Sequence, residues 1–318
     1  MRQVWIDGFG DVSQVHIREV AEPVAGEGEV VVEMAACSVN YADLMQREGL
    51  YVGGPKPPFP PGAEAAGTVI SVGPGVTSPP VGTRVMVTGR GGLQAERAAV
   101  RATSCLAIPE GLAFAEAAAF SISFLTAYHA LTTVARAAPG EIVVIHAAAG
   151  GVGTAAVQIA KLLGLRVVAT ASTEDKRALV RALGADHVVD YDAFEATVRE
   201  LGGAAVILES VGGEILRKSL AVLAPLGRLV VFGVSSRDPR PLDTVKLLFR
   251  SHAVLGLHLD AIFGRPDLLL PSIEWLLTRV LDRRLAIQVG HTLPLADVRR
   301  AHELLASRES HGKIVLFP

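Results

Sequence analysis

Short apolar runs set between glycine and proline fill the chain up to about residue 113, and a different pattern follows. Residues 29–40 (EVVVEMAACSVN), 67–73 (GTVISVG) and 82–89 (GTRVMVTG) are dense in valine and isoleucine. Helical periodicity is scarce among them, so this part is predicted to be β-rich. Residues 114–135 are Ala-rich and predict a helix, and Ala138-Pro139-Gly140 predicts a turn. From there strands and helices alternate. Ile142 to Ile145 is a β-branched run, 166–172 (RVVATAS) a second strand, 174–184 a helix ended by Gly184, and 187–191 (HVVDY) a third strand. A helix (AFEATVREL), a strand over 205–210, a helix (EILRKSLAVL), a strand over 228–234 and a strand over 253–259 (AVLGLHL) complete the series. Strands alternating with helices of about ten residues imply right-handed crossovers and a parallel, doubly wound sheet. Beyond about 260 an amphipathic helix around Ile273 to Leu281 and a last strand, KIVLF, are predicted to return to the first domain. The expected organisation is a β-rich domain over 1–119 and 260–318, and a nucleotide-binding domain over 120–259.

Residues 146–161, HAAAGGVGTAAVQIAK, join the first strand of the alternating region to its first helix. The glycines of Ala147-x-x-Gly150-x-x-Gly153 turn the backbone sharply and let a pyrophosphate approach amides at the helix N-terminus, here Gly151, Val152 and Gly153. Ala148 stands where the first glycine of G-x-G-x-x-G would stand. The turn is flanked by strand and helix, the context that a dinucleotide-binding reading requires. The end of the second strand decides the nucleotide. NAD-selective proteins place an acid there for the ribose hydroxyls, and a 2′-phosphate needs that acid absent and a cation present. Neither Ala171 nor Ser172 is acidic, and Lys176 and Arg177 follow, so NADPH is favoured, with Ser172 and Lys176 at the 2′-phosphate. Glu174 and Asp175 suit the first turn of a helix capped by Thr173, although either could serve a ribose.

The 318 residues suffice for two cores; with 50% hydrophobic residues, a formal charge of −2 and a mean hydropathy of +0.40, they give no sign of a polyanionic partner. The first 20 residues predict neither a signal peptide nor an anchor, no run reaches a membrane span, and the expected location is the cytoplasm. Two cysteines, Cys37 and Cys105, can build neither a disulfide framework nor an all-cysteine zinc site. Residues 51–67 carry five prolines, a stiff connection that suits either a surface loop or the wall of a substrate cleft.

The order of these parts resembles the medium-chain dehydrogenase/reductases, in their zinc-independent NADPH:quinone oxidoreductase branch. The resemblance covers essentially the whole chain and rests on residues 28–51, PGAEAAGTVISVGPGV (61–76), SFLTAYHAL (123–131), the glycine stretch, LGADHVVDY (183–191), SVGG (210–213), GRLVVFG (227–233) and the terminal HGKIVL. It implies a Rossmann domain joined to a β-rich GroES-like catalytic domain. Zinc-dependent relatives need a cysteine where this chain has Asn40 and a histidine where it has Ala63, so no metal is expected. Without a Lewis acid, an electron-poor acceptor such as a quinone or a conjugated enone is the expected substrate.

The resemblance also implies that Asn40 and Tyr51 line the acceptor side, with Arg47 nearby, although Asn40 could simply cap a turn. It places Thr126 beside the nicotinamide and Tyr191 near the adenosine phosphate. Val211 and Gly233, Val234 and Ser235 fall under the nicotinamide ribose, and Leu257 and His258 on a strand that approaches the carboxamide. The ring would lie in a cleft between domains. An alternative is reduction of α,β-unsaturated carbonyls or enoyl thioesters, for which Arg47, Arg265, Arg283 and Arg284 would form a basic entrance. A second alternative is an NADPH-binding sensor with little turnover. The apolar run at 253–259, at the edge of the sheet, and the resemblance together imply a homodimer.

Overall fold

A computed structural model describes all of residues 1–318 and divides them into two units, Met1–Ile122 with Ile287–Pro318, and Ser123–Ala286. The first unit begins with strands β1 (Arg2–Ile6), β2 (Val15–Glu19) and β3 (Glu29–Val39), then helix α1 (Tyr41–Arg47). Strands β4 (Glu64–Val72), β5 (Arg84–Thr88), β6 (Arg97–Arg101) and β7 (Cys105–Ala107) and helix α2 (Phe114–Ala118) follow. Valine repeats make β3 the central strand, and Val30, Val31 and Val32 are buried in succession on both of its faces. It pairs antiparallel with β4 and β6.

The second unit opens on α3 (Ser121–His129) and alternates through β8 (Ile142–Ile145), α4 (Gly151–Leu162), β9 (Arg166–Thr170), α5 (Glu174–Ala182), β10 (His187–Val189) and α6 (Phe194–Glu200). It continues through β11 (Ala204–Glu209), α7 (Gly213–Ala221), β12 (Leu223–Val231), α8 (Thr244–Arg250), β13 (Ala253–Gly256), α9 (Asp260–Phe263) and α10 (Pro266–Leu281). The strand order is β10-β9-β8-β11-β12-β13, and every pairing is parallel. Val143, Val144 and Ile145 are all within 1% of complete burial. Successive strand residues point to opposite faces, so both faces of β8 are covered.

The chain then returns to the first unit as β14 (Val289–Pro294), α11 (Val298–Ala306) and β15 (Lys313–Phe317). Strand β15 lies between β14 and β3 and sets Ile314 opposite Val39. The α11 residues Val298, Ala301 and Leu304 enter the same core as Val4, Val32 and Leu316.

Three sequence expectations are revised. The second unit runs to Ala286 rather than ending near 259, because α10 is tied into it. Ser272 bonds His129 at 3.1 Å, the Trp275 and Tyr128 rings lie 5.2 Å apart, and the Gln158 side chain bonds both the N–H and the carbonyl of Ala286. The Ala-rich segment is two helices followed by a wider turn at Ala130–Val134, since α2 packs on the β-sheet of the first unit while α3 belongs mainly to the second. The run 253–259 is a strand only over Ala253–Gly256. No helix is long and apolar enough to cross a membrane.

Candidate functional site

Strand β8 delivers the chain to the point where strand order reverses, between β8 and β11, the crevice in which open parallel sheets bind ligands. Ala147 adopts φ +49 and its carbonyl accepts the Gly150 N–H at 2.9 Å. A Cβ on Gly153 would stand 2.4 Å from that carbonyl oxygen and 2.6 Å from Ala148 Cα, so only glycine lets α4 close on the loop. At Gly150, the N-cap, a Cβ would meet nothing nearer than 3.3 Å. The opening N–H groups of α4, on Gly151, Val152 and Gly153, have no preceding helical carbonyl and are free for an anion. Tyr191 lies just past β10, and its hydroxyl accepts the Ala147 N–H at 3.0 Å, which couples it to the glycine loop.

Beneath this loop runs a buried polar chain that the sequence reading missed. His146 bonds Thr170 Oγ1 at 3.0 Å and Ser219 Oγ at 2.8 Å, and Ser219 donates to Glu209 Oε2 at 3.2 Å. Glu209 Oε1 accepts the N–H groups of Val211 and Gly212 at 2.5 and 2.9 Å. Burial pushes the His146 pKa down to about 3 and raises that of Glu209. The chain therefore locks together the carboxyl ends of β8, β9 and β11. Val211 also accepts from Ser236 N at 2.7 Å, and Ser210 from Ser235 N at 2.9 Å, so the loops carrying Val211 and Gly233, Val234 and Ser235 are zipped side by side. Leu257 and His258 fall beyond the end of β13, not within it, although Leu257 N still bonds Val231 O at 2.9 Å. Thr126 is buried on α3.

At the end of β9, Ser172 is exposed and Thr173 caps α5 by accepting the Lys176 N–H at 3.4 Å. Arg177 folds back, and its Nη1 donates to the carbonyls of Ala171 and Ser172, both at 3.2 Å.

In the first unit, strand register assembles a second cluster. Ile314 opposite Val39 brings Lys313 beside Asn40, and Cys37 opposite Ala65 brings Ser38 beside Glu64. Lys313 Nζ donates to Asn40 Oδ1 at 2.5 Å and to Glu64 Oε1 at 2.6 Å. Ser38 Oγ and Asn40 Nδ2 donate to the same Glu64 oxygen at 2.7 and 3.1 Å, and the other Glu64 oxygen accepts the Ile122 N–H at 2.9 Å. Asp43, pushed up to about 6 by burial, accepts the Asn40 N–H at 2.8 Å. Asn40 is thus both the N-cap of α1, its N–H held by Asp43, and a member of this cluster through its side chain. Tyr51 lies past the other end of α1, where its N–H donates to Met45 O at 3.2 Å. The helix between Asn40 and Tyr51 spans about 10 Å.

Arg47 does not form an entrance. It is 4% exposed and donates to Gly10 O at 3.1 Å, to His302 Nδ1 at 3.2 Å and to Glu48 at 2.9 Å. Arg265 is paired with Asp267. No group of three or more His, Cys, Asp or Glu side chains is placed to hold a metal ion. Around Glu64 the donors are an amide, a hydroxyl and an ammonium, and an ammonium competes with a metal cation rather than ligating it, so this set does not fit zinc.

Residues 26–121 match the Alcohol dehydrogenase GroES-like domain, and 151–271 the domain described as Zinc-binding dehydrogenase. The chain is 31% identical to the human Synaptic vesicle membrane protein VAT-1 homolog, over all of this chain and 86% of the other. It is 34% identical to the Quinone oxidoreductase-like protein 2 homolog of Nematostella vectensis, over 98% of this chain and 90% of the other. Among solved structures, the quinone oxidoreductase of Thermus thermophilus, described together with its NADPH complex, is 38% identical, with a TM-score of 0.88 and full coverage of both chains.

Proposed function

The chain belongs to the medium-chain dehydrogenase/reductase superfamily, in its quinone-oxidoreductase-like branch, and from that premise we propose that it is an NADPH-dependent oxidoreductase whose acceptor is a quinone. The observation that carries the acceptor reading is the Lys313–Glu64–Asn40 cluster, a donor set that does not fit zinc where zinc-dependent relatives bind it. A carbonyl oxygen bound beside it has hydrogen bonds but no metal Lewis acid, which favours an electron-poor acceptor.

Bound NADPH supplies a hydride. The residues of this chain bind and orient. The opening amides of α4 suit the pyrophosphate, and the missing Cβ of Gly153 lets α4 close on the Ala147–Ala148 backbone, which sets those amides at the loop. Ser172 and Lys176 are assigned to the 2′-phosphate and Tyr191 to the adenosine side, where it also steadies the glycine loop. Thr126, Val211, Gly233, Val234, Ser235, Leu257 and His258 are assigned to the nicotinamide end. Asn40 has its carbonyl oxygen occupied by Lys313 and one amide hydrogen by Glu64. The hydrogen that remains makes Asn40 a donor, the polarity that an acceptor carbonyl requires. Tyr51 is assigned a second polar contact. The partner is a small-molecule acceptor, and the edge strand β13 supports assembly as a homodimer.

The test is oxidation of the reduced nicotinamide by EDTA-treated protein with 1,4-benzoquinone, 9,10-phenanthrenequinone and an enone panel, run with NADPH and with NADH. Quinone turnover that prefers NADPH, falling about tenfold in kcat/KM for Asn40→Ala, is the expected result, the worth of about one hydrogen bond. Turnover with enones or acyl thioesters alone moves the assignment to double-bond reduction. Binding of NADPH without any turnover moves it to a sensor.

A further inference from the structure

The end of β9 carries a contradiction that its side chains resolve. A site for a 2′-phosphate should lack acids, yet α5 opens with Glu174 and Asp175. A free carboxylate there would accept a ribose hydroxyl and repel the extra phosphate. Glu174 is not free. Its Oε2 accepts from Arg177 Nε at 3.0 Å and its Oε1 from Arg181 Nη1 at 2.6 Å, so each oxygen is held by a guanidinium. The two arginines hold its carboxyl below the ordinary glutamate range.

Helical spacing gives the clamp a direction. At roughly 100° per residue, Arg177 and Arg181 lie within about 60° of Glu174 around α5, whereas Lys176 lies about 160° away. The carboxylate is drawn to one side of the helix and Lys176 occupies the other. Arg177 is itself anchored, since its Nη1 donates to the carbonyls of Ala171 and Ser172 in the turn where β9 ends. Residues 174–181 carry three cations and two acids, and the clamp joins two of the cations to Glu174.

We propose that Arg177 and Arg181 are specificity-determining residues which, by clamping Glu174, make the end of β9 accept a 2′-phosphate in place of a ribose hydroxyl. The inference rests on the NADPH reading above and explains how that reading survives Glu174, the acid of α5 that the arginines hold. Neither arginine needs to touch the nucleotide, because the effect runs through Glu174.

The experiment measures binding of 2′,5′-ADP and 5′-AMP by calorimetry, and of NADPH and NADH by fluorescence. The proteins are the wild type, Arg181→Gln, Arg177→Gln/Arg181→Gln, and that double variant with Glu174→Gln added. The double variant is expected to bind 2′,5′-ADP and NADPH about thirtyfold more weakly, because the charge of Glu174 with its two arginines falls by two units, from +1 to −1, and each unit about 8 Å from a dianionic phosphate in a water-like dielectric is worth about sixfold. Binding of 5′-AMP and NADH should stay within about twofold, and Glu174→Gln, which returns one of the two units of charge, should recover about sixfold of the loss. Thermal melts accompany each variant. Arg181→Gln leaves the backbone bonds of Arg177 intact, and decides the matter by a smaller loss in the same direction if the double variant unfolds. An unchanged 2′,5′-ADP to 5′-AMP ratio in the variants overturns the inference, and so does a triple variant as weak as the double. A wild type that binds 2′,5′-ADP no more tightly than 5′-AMP removes the NADPH reading itself. Normal wild-type preference with unresponsive variants removes only the clamp.

Discussion

Lys313 shows what one residue does when strand register, rather than sequence proximity, chooses its neighbours. Its ammonium is 6% exposed and meets a Glu64 carboxylate that is 1% exposed, so neither charge is solvated alone. Removing one partner of such a pair leaves the other buried and uncompensated. Lys313→Met is therefore expected to destabilise the protein by about 3–5 kcal/mol in urea unfolding, and adding Glu64→Gln should recover much of that loss. If the double variant is no better than the single one, the pair's charge is not what the site depends on. Asn40 was named from its place in the chain as a residue of the acceptor side, and the structure sets it beside Lys313 and Glu64. Lys313 stands in HGKIVL with nothing local to mark it as a site residue, because its partners lie 273 and 249 positions away and only the β15–β3–β4 pairing brings them together. Arg47 shows the opposite failure. Its charge suggested an exposed role, and the buried acceptors that consume it, His302 and the Gly10 carbonyl, carry no sequence signature.

Elements were easiest to read where a local rule and a tertiary rule agree. The β8 run, the glycine turn and α4 were legible because each fits its own pattern and the three together fit a nucleotide loop. Helix α8 was not foreseen. Asp243 caps it by accepting the Lys246 N–H at 3.1 Å, but Val245, Leu248 and Phe249 are 60%, 73% and 82% exposed, so no apolar stripe faces a core. Strand β13, which follows it, has only β12 as a neighbour and leaves its other edge unpaired. The homodimer proposed above would cover that edge and the exposed apolar side chains of α8 together. Light scattering should give twice the 33.3 kDa chain mass at micromolar concentration, and Phe249→Asp should shift the protein toward the single-chain mass without lowering its melting temperature. A wild-type mass of one chain throughout that range removes the dimer.

Across the whole molecule, buried titratable groups of opposite sign set how stability follows pH. His302 is buried, and desolvation, aided by Arg47, pushes its pKa down to about 3, while an unfolded histidine titrates near about 6.5. Between those values the unfolded chain binds more protons, so this group's contribution is present above about 6.5 and is lost as pH falls. Asp43 runs the other way. Burial raises it to about 6, against about 3.9 unfolded, so the folded state binds more protons in between, and the contribution is present below about 4 and lost as pH rises through 6. Each slope is worth up to about 1.4 kcal/mol per pH unit where the two windows overlap, from roughly pH 4.5 to 6. His302→Gln, whose amide oxygen can still accept from Arg47, should therefore make unfolding free energy rise less steeply with pH across this window, and Asp43→Asn should make it rise more steeply. Urea titrations at several pH values read both slopes. Two variants that move the slope in the same direction, or not at all, would show that burial does not shift these two groups in opposite senses.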